Sequence, residues 1–278
     1  MMKGNILLTT ALLCCTNAAL AALPQSAYRA GGIAVLPITD STIQVFLDQQ
    51  PIAIAQQNGQ RFAVIGIPLN PETGLDTNTL TVQLQQANGQ TESKNIKLSS
   101  YDYPEQRLKI ANKSQVNPDP EQLARYGREA TEQKNIYQSF SPRQSDGFPD
   151  FIQPTQGRYS SPFGLKRFFN DEPRAAHSGL DIAAPIGQTV LAPANGTVVG
   201  VGDYFFNGKT ILIDHGQGII SMLCHLSKID VKVGDLLKQG QAIAAVGKTG
   251  RATGPHLHWG MSLNNQRVDP LLFLPQTP

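Results

Sequence analysis

The 278-residue chain has little with which to cross-link itself: it holds three cysteines, and two of them, Cys14 and Cys15, lie near its start. Loss of that region would leave Cys224 alone, which excludes an intramolecular disulfide and any small fold stapled by such bonds. Charge is sparse as well. Charged residues make up 16% of the chain and the net charge is +2, without the concentrated basic surface that nucleic-acid binding demands. Long apolar runs are missing too, since the stretch from Ile6 to Cys15 falls well short of the roughly 20 residues that a membrane-spanning helix needs. A phosphate-binding loop is excluded despite Gly247-Lys248-Thr249, because the glycine that the motif requires five residues before its second one is Ala242 here.

What the chain does contain begins with a leader-like segment. Lys3, the apolar stretch Ile6 to Cys15 and the small-residue run Ala19-Leu20-Ala21 together read as a secretory signal peptide over residues 1–22. Its removal would take Lys3 and no acid, leaving 22 of the 23 basic residues against 21 acidic ones. The expected location is periplasmic or secreted, with no membrane span after processing.

Residues 23–100 alternate short apolar runs with turns, among them Ile43-Gln44-Val45-Phe46-Leu47 and Leu80-Thr81-Val82-Gln83-Leu84, with Asn58-Gly59 and Asn88-Gly89 as hairpin signals. This predicts an immunoglobulin-like β-sandwich, and it holds no histidine or cysteine. Residues 101–150 change character. Pro120 can open a helix, and Leu123, Tyr126, Ala130 and Ile136 recur at helical spacing, so a helical linker is expected, followed by the breaker-rich run Ser141 to Pro149. It either joins two domains or covers a groove, and joining is the commoner use. From 151 to 278 glycines punctuate β-type runs, which predicts an antiparallel β-sheet domain with only a local helical turn at Asp269 to Leu274. The fold class expected is therefore mainly all-β.

The five histidines carry the chemistry. His256 and His258 stand two apart in Gly254-Pro255-His256-Leu257-His258-Trp259, so in a strand both project to one face. His177 stands four residues before Asp181. A catalytic zinc takes three nitrogen or oxygen ligands and leaves a position for water. His177, Asp181 and one of the His256/His258 pair would fill those places, and spacing does not choose between the two.

Taken together, Ser160-Ser161-Pro162-Phe163-Gly164, His177-Ser178-Gly179-Leu180-Asp181, Ile213-Asp214-His215-Gly216, His225-Leu226 and Gly254-Pro255-His256-Leu257-His258-Trp259 resemble the lysostaphin/LytM-type (M23) zinc metallopeptidases. The resemblance runs in order through nearly all of residues 155–270. It implies Zn2+ as cofactor, His177, Asp181 and His258 as its ligands, and His225 and His256 as catalytic histidines beside the water. His256 is expected to take that water's proton and His225 to donate to the oxyanion, an assignment the sequence leaves interchangeable. His215 matches a family position that is not a ligand and reads as structural. Where many relatives carry an aromatic two residues before the histidine, this chain has Leu223-Cys224; alternation would set Cys224 on the face opposite His225, as a small buried apolar residue.

The substrate implied by the resemblance is a peptide stem or cross-link of bacterial peptidoglycan, cut by a zinc-activated water. Lys209 and Arg251 read either as groups that meet its carboxylates or as ordinary loop charges. Two other functions fit the same pattern: a catalytically silent wall-binding activator of an amidase, and a secreted bacteriolysin that cuts glycyl-glycine bridges. A regulatory protein partner is unspecified by the sequence.

Overall fold

In a computed structural model the described residues are 22–69, 79–110, 116–143 and 147–275. The expected leader, apart from Ala22, lies outside them. No helix among the described residues is long and apolar enough to cross a membrane.

The amino-terminal strands form two antiparallel sheets. Thr42–Leu47 and Thr79–Gln86 sit between the edge strands Gln50–Pro51 and Thr91–Lys97, while Gln60–Gly66 lies between Ile33–Ile38 and Ala53–Gln57. Alternation along each strand buries one face, and Ala34, Val45, Ile65 and Val82, all fully buried, meet between the sheets. At the hairpin tip, Asn58 and Gly59 both take positive φ, 52° and 77°, the backbone of the tight turn whose twist matches that of its strands.

The three-stranded sheet is covered on its other face as well. Ile33, Ala53, Ala55 and Val64 point away from the sandwich and into one continuous core with Leu257, Trp259, Met261 and Leu263 of the carboxy-terminal sheet. Asn264, 4% exposed, stitches the seam: its Oδ1 accepts from the Gly66 amide at 2.7 Å and its Nδ2 donates to the Gly66 carbonyl at 3.2 Å. The sandwich and the large sheet thus share apolar packing instead of hanging on a tether.

The stretch between them is fastened rather than loose. Glu105–Leu108 pairs in parallel with Lys166–Phe169. The helix runs over Pro120–Tyr137, with Pro120 in its first turn and Asp119 and Gln122 forming a reciprocal capping box. Beyond it, Arg143 donates to the Ile54 carbonyl and to Gln217 Oε1 at 2.9 and 2.8 Å.

The large sheet has ten strands. Its centre runs Gly196–Tyr204, Gly208–Asp214, Ile219–Ile229, His256–Leu263, Leu180–Ala183 and Arg158–Ser161. Along His256–Leu263, Leu257, Trp259, Met261 and Leu263 are fully buried on the core face, so His256 and His258 are sent to the other face. The chain closes on a short helical turn, Pro270–Phe273, whose Phe273 packs on Phe148 and Phe151.

Candidate metal centre and active-site cleft

Three segments far apart in sequence meet on the face that the core leaves uncovered. Asp181 lies directly across from His258 in neighbouring antiparallel strands, and cross-strand partners share a face. His177 reaches the same point from the loop ahead of Leu180–Ala183. The ligand-type atoms of His177, Asp181 and His258 all lie within 4.8 Å of one another, and these three form a group among the described residues that could hold a metal ion.

The hydrogen bonds fix which nitrogens are available. His177 Nδ1 is 2.7 Å from the Pro162 carbonyl oxygen; a carbonyl only accepts, so Nδ1 carries the proton and Nε2 is bare. That bare Nε2 stands 3.0 Å from Asp181 Oδ1 and 3.0 Å from His258 Nδ1. His258 Nδ1 is itself 2.7 Å from the same oxygen. Three potential electron-pair donors face one point, an arrangement able to hold a cation between them. The set of two imidazoles and one carboxylate fits zinc, which takes N and O ligands and keeps a place for water.

Electrostatics keep the donors in ligating form. Burial works against ionisation of Asp181, but the imidazoles of His177 and His258 beside it prevail and hold its carboxyl well below the usual range. Burial pulls His177 down to about 4, against the opposing pull of Asp181, so the ring is neutral at physiological pH. Asp181 is aimed by Arg167, whose Nη2 donates to Oδ2 at 3.1 Å, leaving Oδ1 for the cluster. Gly179 makes room for the third ligand: a Cβ there would stand 2.6 Å from His258 Nε2 and 2.6 Å from the Trp259 carbonyl oxygen.

His225 and His256 flank the cluster, with ring centroids 4.7 Å apart. Each again gives its Nδ1 proton to a carbonyl, His225 to Thr249 at 2.8 Å and His256 to Gly254 at 2.8 Å, so each keeps a bare Nε2, that of His256 lying 3.9 Å from Asp181 Oδ1. Burial, then the charges of His256 and His258, draws His225 down to about 3.

One expectation is overturned. Cys224 does not lie on the face opposite His225: it pairs across from His258, and both Cys224 and His225 line the same cavity. The cause is a bulge. Lys209 pairs with Leu226 and Ile211 with Leu223, so Cys224 and His225 together oppose the single Thr210. His225 absorbs the extra residue with a φ of 63°, which returns its ring to the cleft. Cys224 is 1% exposed and packs with Met222, Tyr137 and Leu212, so its buried apolar role holds although its face does not. His215 also has a structural setting: its Nδ1 donates to the Asn195 carbonyl at 2.7 Å and its Nε2 lies 2.7 Å from Ser221 Oγ.

The cavity above the cluster measures about 1060 Å³ and has a wall that the histidine pattern does not announce. The helix Pro120–Tyr137 supplies it through Leu123, Tyr126, Ala130 and Gln133, which explains why Leu123 and Tyr126 remain 51% and 44% exposed despite their helical spacing. Joining domains is therefore not the helix's only role. Glu129 accepts from the Phe205 amide at 2.8 Å and from Arg125 Nε at 2.6 Å, tying helix to sheet. Arg167 is not announced by the sequence either: Lys166-Arg167-Phe168-Phe169 is the central strand of a three-stranded sheet, where successive side chains leave on opposite faces and Arg167 takes the one toward Asp181.

Comparisons with known proteins fall on these same strands. A sequence model of Peptidase family M23 matches residues 175–270. A Vibrio cholerae protein named peptidoglycan DD-endopeptidase ShyB is 43% identical over 93 residues, 34% of this chain and 22% of that one. A Neisseria meningitidis protein named DD-carboxypeptidase/endopeptidase Mpg is 37% identical over 121 residues, 44% of this chain and 28% of that one. The chain thus matches about a quarter of the length of these relatives. A crystal structure from Pseudomonas aeruginosa, assigned to peptidase M23, superposes with a TM-score of 0.71 at 38% identity, covering 89% of this chain and 95% of that one. Likeness over nearly the whole length of both, with the family match spanning every strand that bears a site histidine, leaves one assignment: the chain belongs to peptidase family M23.

Proposed function

We propose that the protein is a zinc-dependent endopeptidase that hydrolyses peptide bonds in the stems or cross-links of bacterial peptidoglycan. The observation that carries this reading is the crowding of His177 Nε2, Asp181 Oδ1 and His258 Nδ1 about one point, beside two histidines whose Nε2 atoms are bare. The names of the Vibrio and Neisseria relatives support the choice of substrate. A wall substrate lies outside the cytoplasmic membrane, in keeping with the leader-like start of the sequence.

His177, Asp181 and His258 would hold the ion, with Arg167 keeping the carboxylate turned toward it. When bound, zinc supplies a Lewis acid that lowers the pKa of a water to roughly 7. The remaining work falls to the chain's own groups. Both bare Nε2 atoms accept hydrogen bonds from an attacking water and so aim it. His256, whose Nε2 lies 3.9 Å from Asp181 Oδ1, is assigned the proton, which it returns to the leaving amine. A neutral His225 with its Nδ1 proton on Thr249 has no Nε2 hydrogen to give an oxyanion, so in this tautomer its part is to aim the water.

The test is to incubate the purified protein with isolated cross-linked muropeptides, with and without a chelator, and to identify products by mass spectrometry. Cleavage that chelation stops and zinc restores is expected. A zinc-replete protein that binds wall and cuts nothing would instead favour a silent activator, and cleavage confined to glycyl-glycine bridges a bacteriolysin.

A further inference from the structure

We propose that Thr249 is a positioning residue for the reaction: its hydroxyl stitches the bulge that brings His225 into the cleft, and its carbonyl fixes which ring nitrogen of His225 bears the proton. The effect on turnover rests on the peptidase reading; the hold on the ring does not.

The bulge needs a support. With Cys224 and His225 together opposing Thr210, the ladder between Gly208–Asp214 and Ile219–Ile229 is interrupted at the very residue whose ring faces the metal cluster. A φ of 63° at His225 is a conformation that residues with a Cβ avoid, and it persists only where the surroundings over-determine it. Two hydrogen bonds reach the residue itself. Its amide donates to the Asn207 carbonyl at 2.9 Å, and its Nδ1 donates to the Thr249 carbonyl at 2.8 Å. The second bond selects the tautomer, because a carbonyl only accepts.

The side chain of Thr249 spans the interruption. Its Oγ1 accepts from the Lys209 amide at 3.0 Å and donates to the Leu226 carbonyl at 2.8 Å. Lys209 and Leu226 oppose each other at the edge of the bulge, so one hydroxyl, a group that accepts and donates through a single atom, joins the two strands there. The fit is close. Gly208 has a φ of 61°, and a Cβ on it would stand 2.3 Å from Thr249 Oγ1, so glycine is what lets the threonine in. The same segment reaches the other flanking histidine, since the Gly247 carbonyl accepts from the His256 amide at 3.3 Å. Without the hydroxyl, the Lys209 amide and the buried Leu226 carbonyl lose their partner, and the carbonyl that holds the His225 ring loses the anchor of its own residue.

A merely structural Thr249 would, when replaced, lower stability, zinc content or substrate binding without moving the proton of one ring. The test therefore compares Thr249→Val, which keeps the shape and loses the hydroxyl, with Thr249→Ser, which keeps the hydroxyl, in the zinc-loaded protein. The first readout is nitrogen NMR of histidine-labelled protein, the His225 signals being those that vanish in His225→Ala. The parent and the serine variant should show Nδ1 protonated and Nε2 bare, and the valine variant a mixture of the two tautomers. The second readout is steady-state cleavage of cross-linked muropeptides. Thr249→Val should lower kcat by about 10- to 100-fold, the cost of a small misplacement of a reacting group, with KM and zinc content unchanged, and Thr249→Ser should restore most of it. A parent spectrum with the His225 proton on Nε2, or a valine variant that keeps the parental tautomer, overturns the hold on the ring. Parental kcat in the valine variant, a loss that falls on KM or zinc content instead, or a serine variant as slow as valine overturns the positioning role. Should the valine variant not fold by circular dichroism, Thr249→Ala and the parent spectrum decide it. Since the tautomer is read without substrate, failure to cut muropeptides would sink the proposed reaction and leave the spectra to judge the hold on the ring, while parental spectra in an active valine variant would sink this inference and leave the reaction standing.

Discussion

Two buried histidines in segments flanking strands of the large sheet differ in one hydrogen bond. His215 and His177 are both buried, 3% and 1% exposed, and both give Nδ1–H to a backbone carbonyl, of Asn195 and Pro162 respectively. Burial pulls each down to about 4. They part at the second nitrogen. At His215 it meets the Ser221 hydroxyl, which can donate to it, so the fold completes the ring. At His177 it meets a carboxylate oxygen, which cannot donate to it, and another imidazole nitrogen, a set able to ligate a metal ion. Burial and pKa alone therefore do not separate a structural histidine from a ligand; the chemistry of the last partner does.

Removing the cluster's carboxylate should break the contrast most severely. Asp181→Ala is expected to lower bound zinc from about one per chain to near zero and to reduce muropeptide hydrolysis by more than about 10⁴-fold, since the water-activating group leaves with the ion. Atomic absorption on the dialysed protein gives the first number and product release the second. Full zinc occupancy in this variant would remove Asp181 from the ligand set.

His256→Ala should separate holding from reacting. Zinc content is expected to stay near one per chain while turnover falls by about 10²- to 10⁴-fold, the range ascribed to a general base. Loss of zinc along with activity would instead make His256 a ligand. The same pair of measurements on His225→Ala shows which ring carries the proton.

The structural histidine should show itself as an acid-sensitive element. Burial holds its folded value at about 4, below the ordinary histidine value of 6.5, so between those pH values the unfolded chain binds a proton that the native chain refuses. Its stabilising contribution is complete above about pH 6.5, falls as the pH drops toward 4, and is lost below that. The size is about 3 kcal/mol. Denaturant midpoints measured from pH 7.5 to 4 should fall less steeply in His215→Gln, which keeps hydrogen-bonding capacity and cannot be charged, than in the parent. Parallel slopes would show that His215 does not titrate across unfolding.

How far the sequence reached follows the same division between local and long-range information. Strand positions were legible because alternation is local: Leu257 and Trp259 point inward, and His256 and His258 are thereby sent outward. The convergence of His177 with His258 needed the family resemblance, since 81 residues separate them and no periodicity spans that distance. Cys224 was misplaced because alternation assumes an unbroken ladder, and a bulge at His225 carries no marker such as glycine at the position of positive φ. The helix was placed by its spacing and by Pro120, with joining domains and covering a groove left as alternatives; several of its apolar residues line a cavity. Sequence gives the face of a helix and not what the face meets.

Arg167 provides the finest adjustment of the comparison, because it acts on the metal cluster only through a ligand. Its Nη2 engages Asp181 Oδ2 and also lies 3.4 Å from Ser161 Oγ, so one carboxylate oxygen is occupied and the other is turned to the histidines. Burial disfavours the arginine's charge while the Asp181 carboxylate favours it, and its own pKa is lowered on balance. A partly buried ion pair of this kind contributes orientation more than net stability. Arg167→Gln, which can still donate one hydrogen bond, should therefore weaken zinc affinity by about tenfold, and Arg167→Ala by up to about 100-fold, as for other groups that position a ligand. Competition with a chromogenic chelator measures both. If instead the alanine variant loses thermal stability and keeps its zinc affinity, Arg167 supports the strand pairing with Glu105–Leu108 and not the carboxylate, and Asp181 is oriented by His177 and its strand alone.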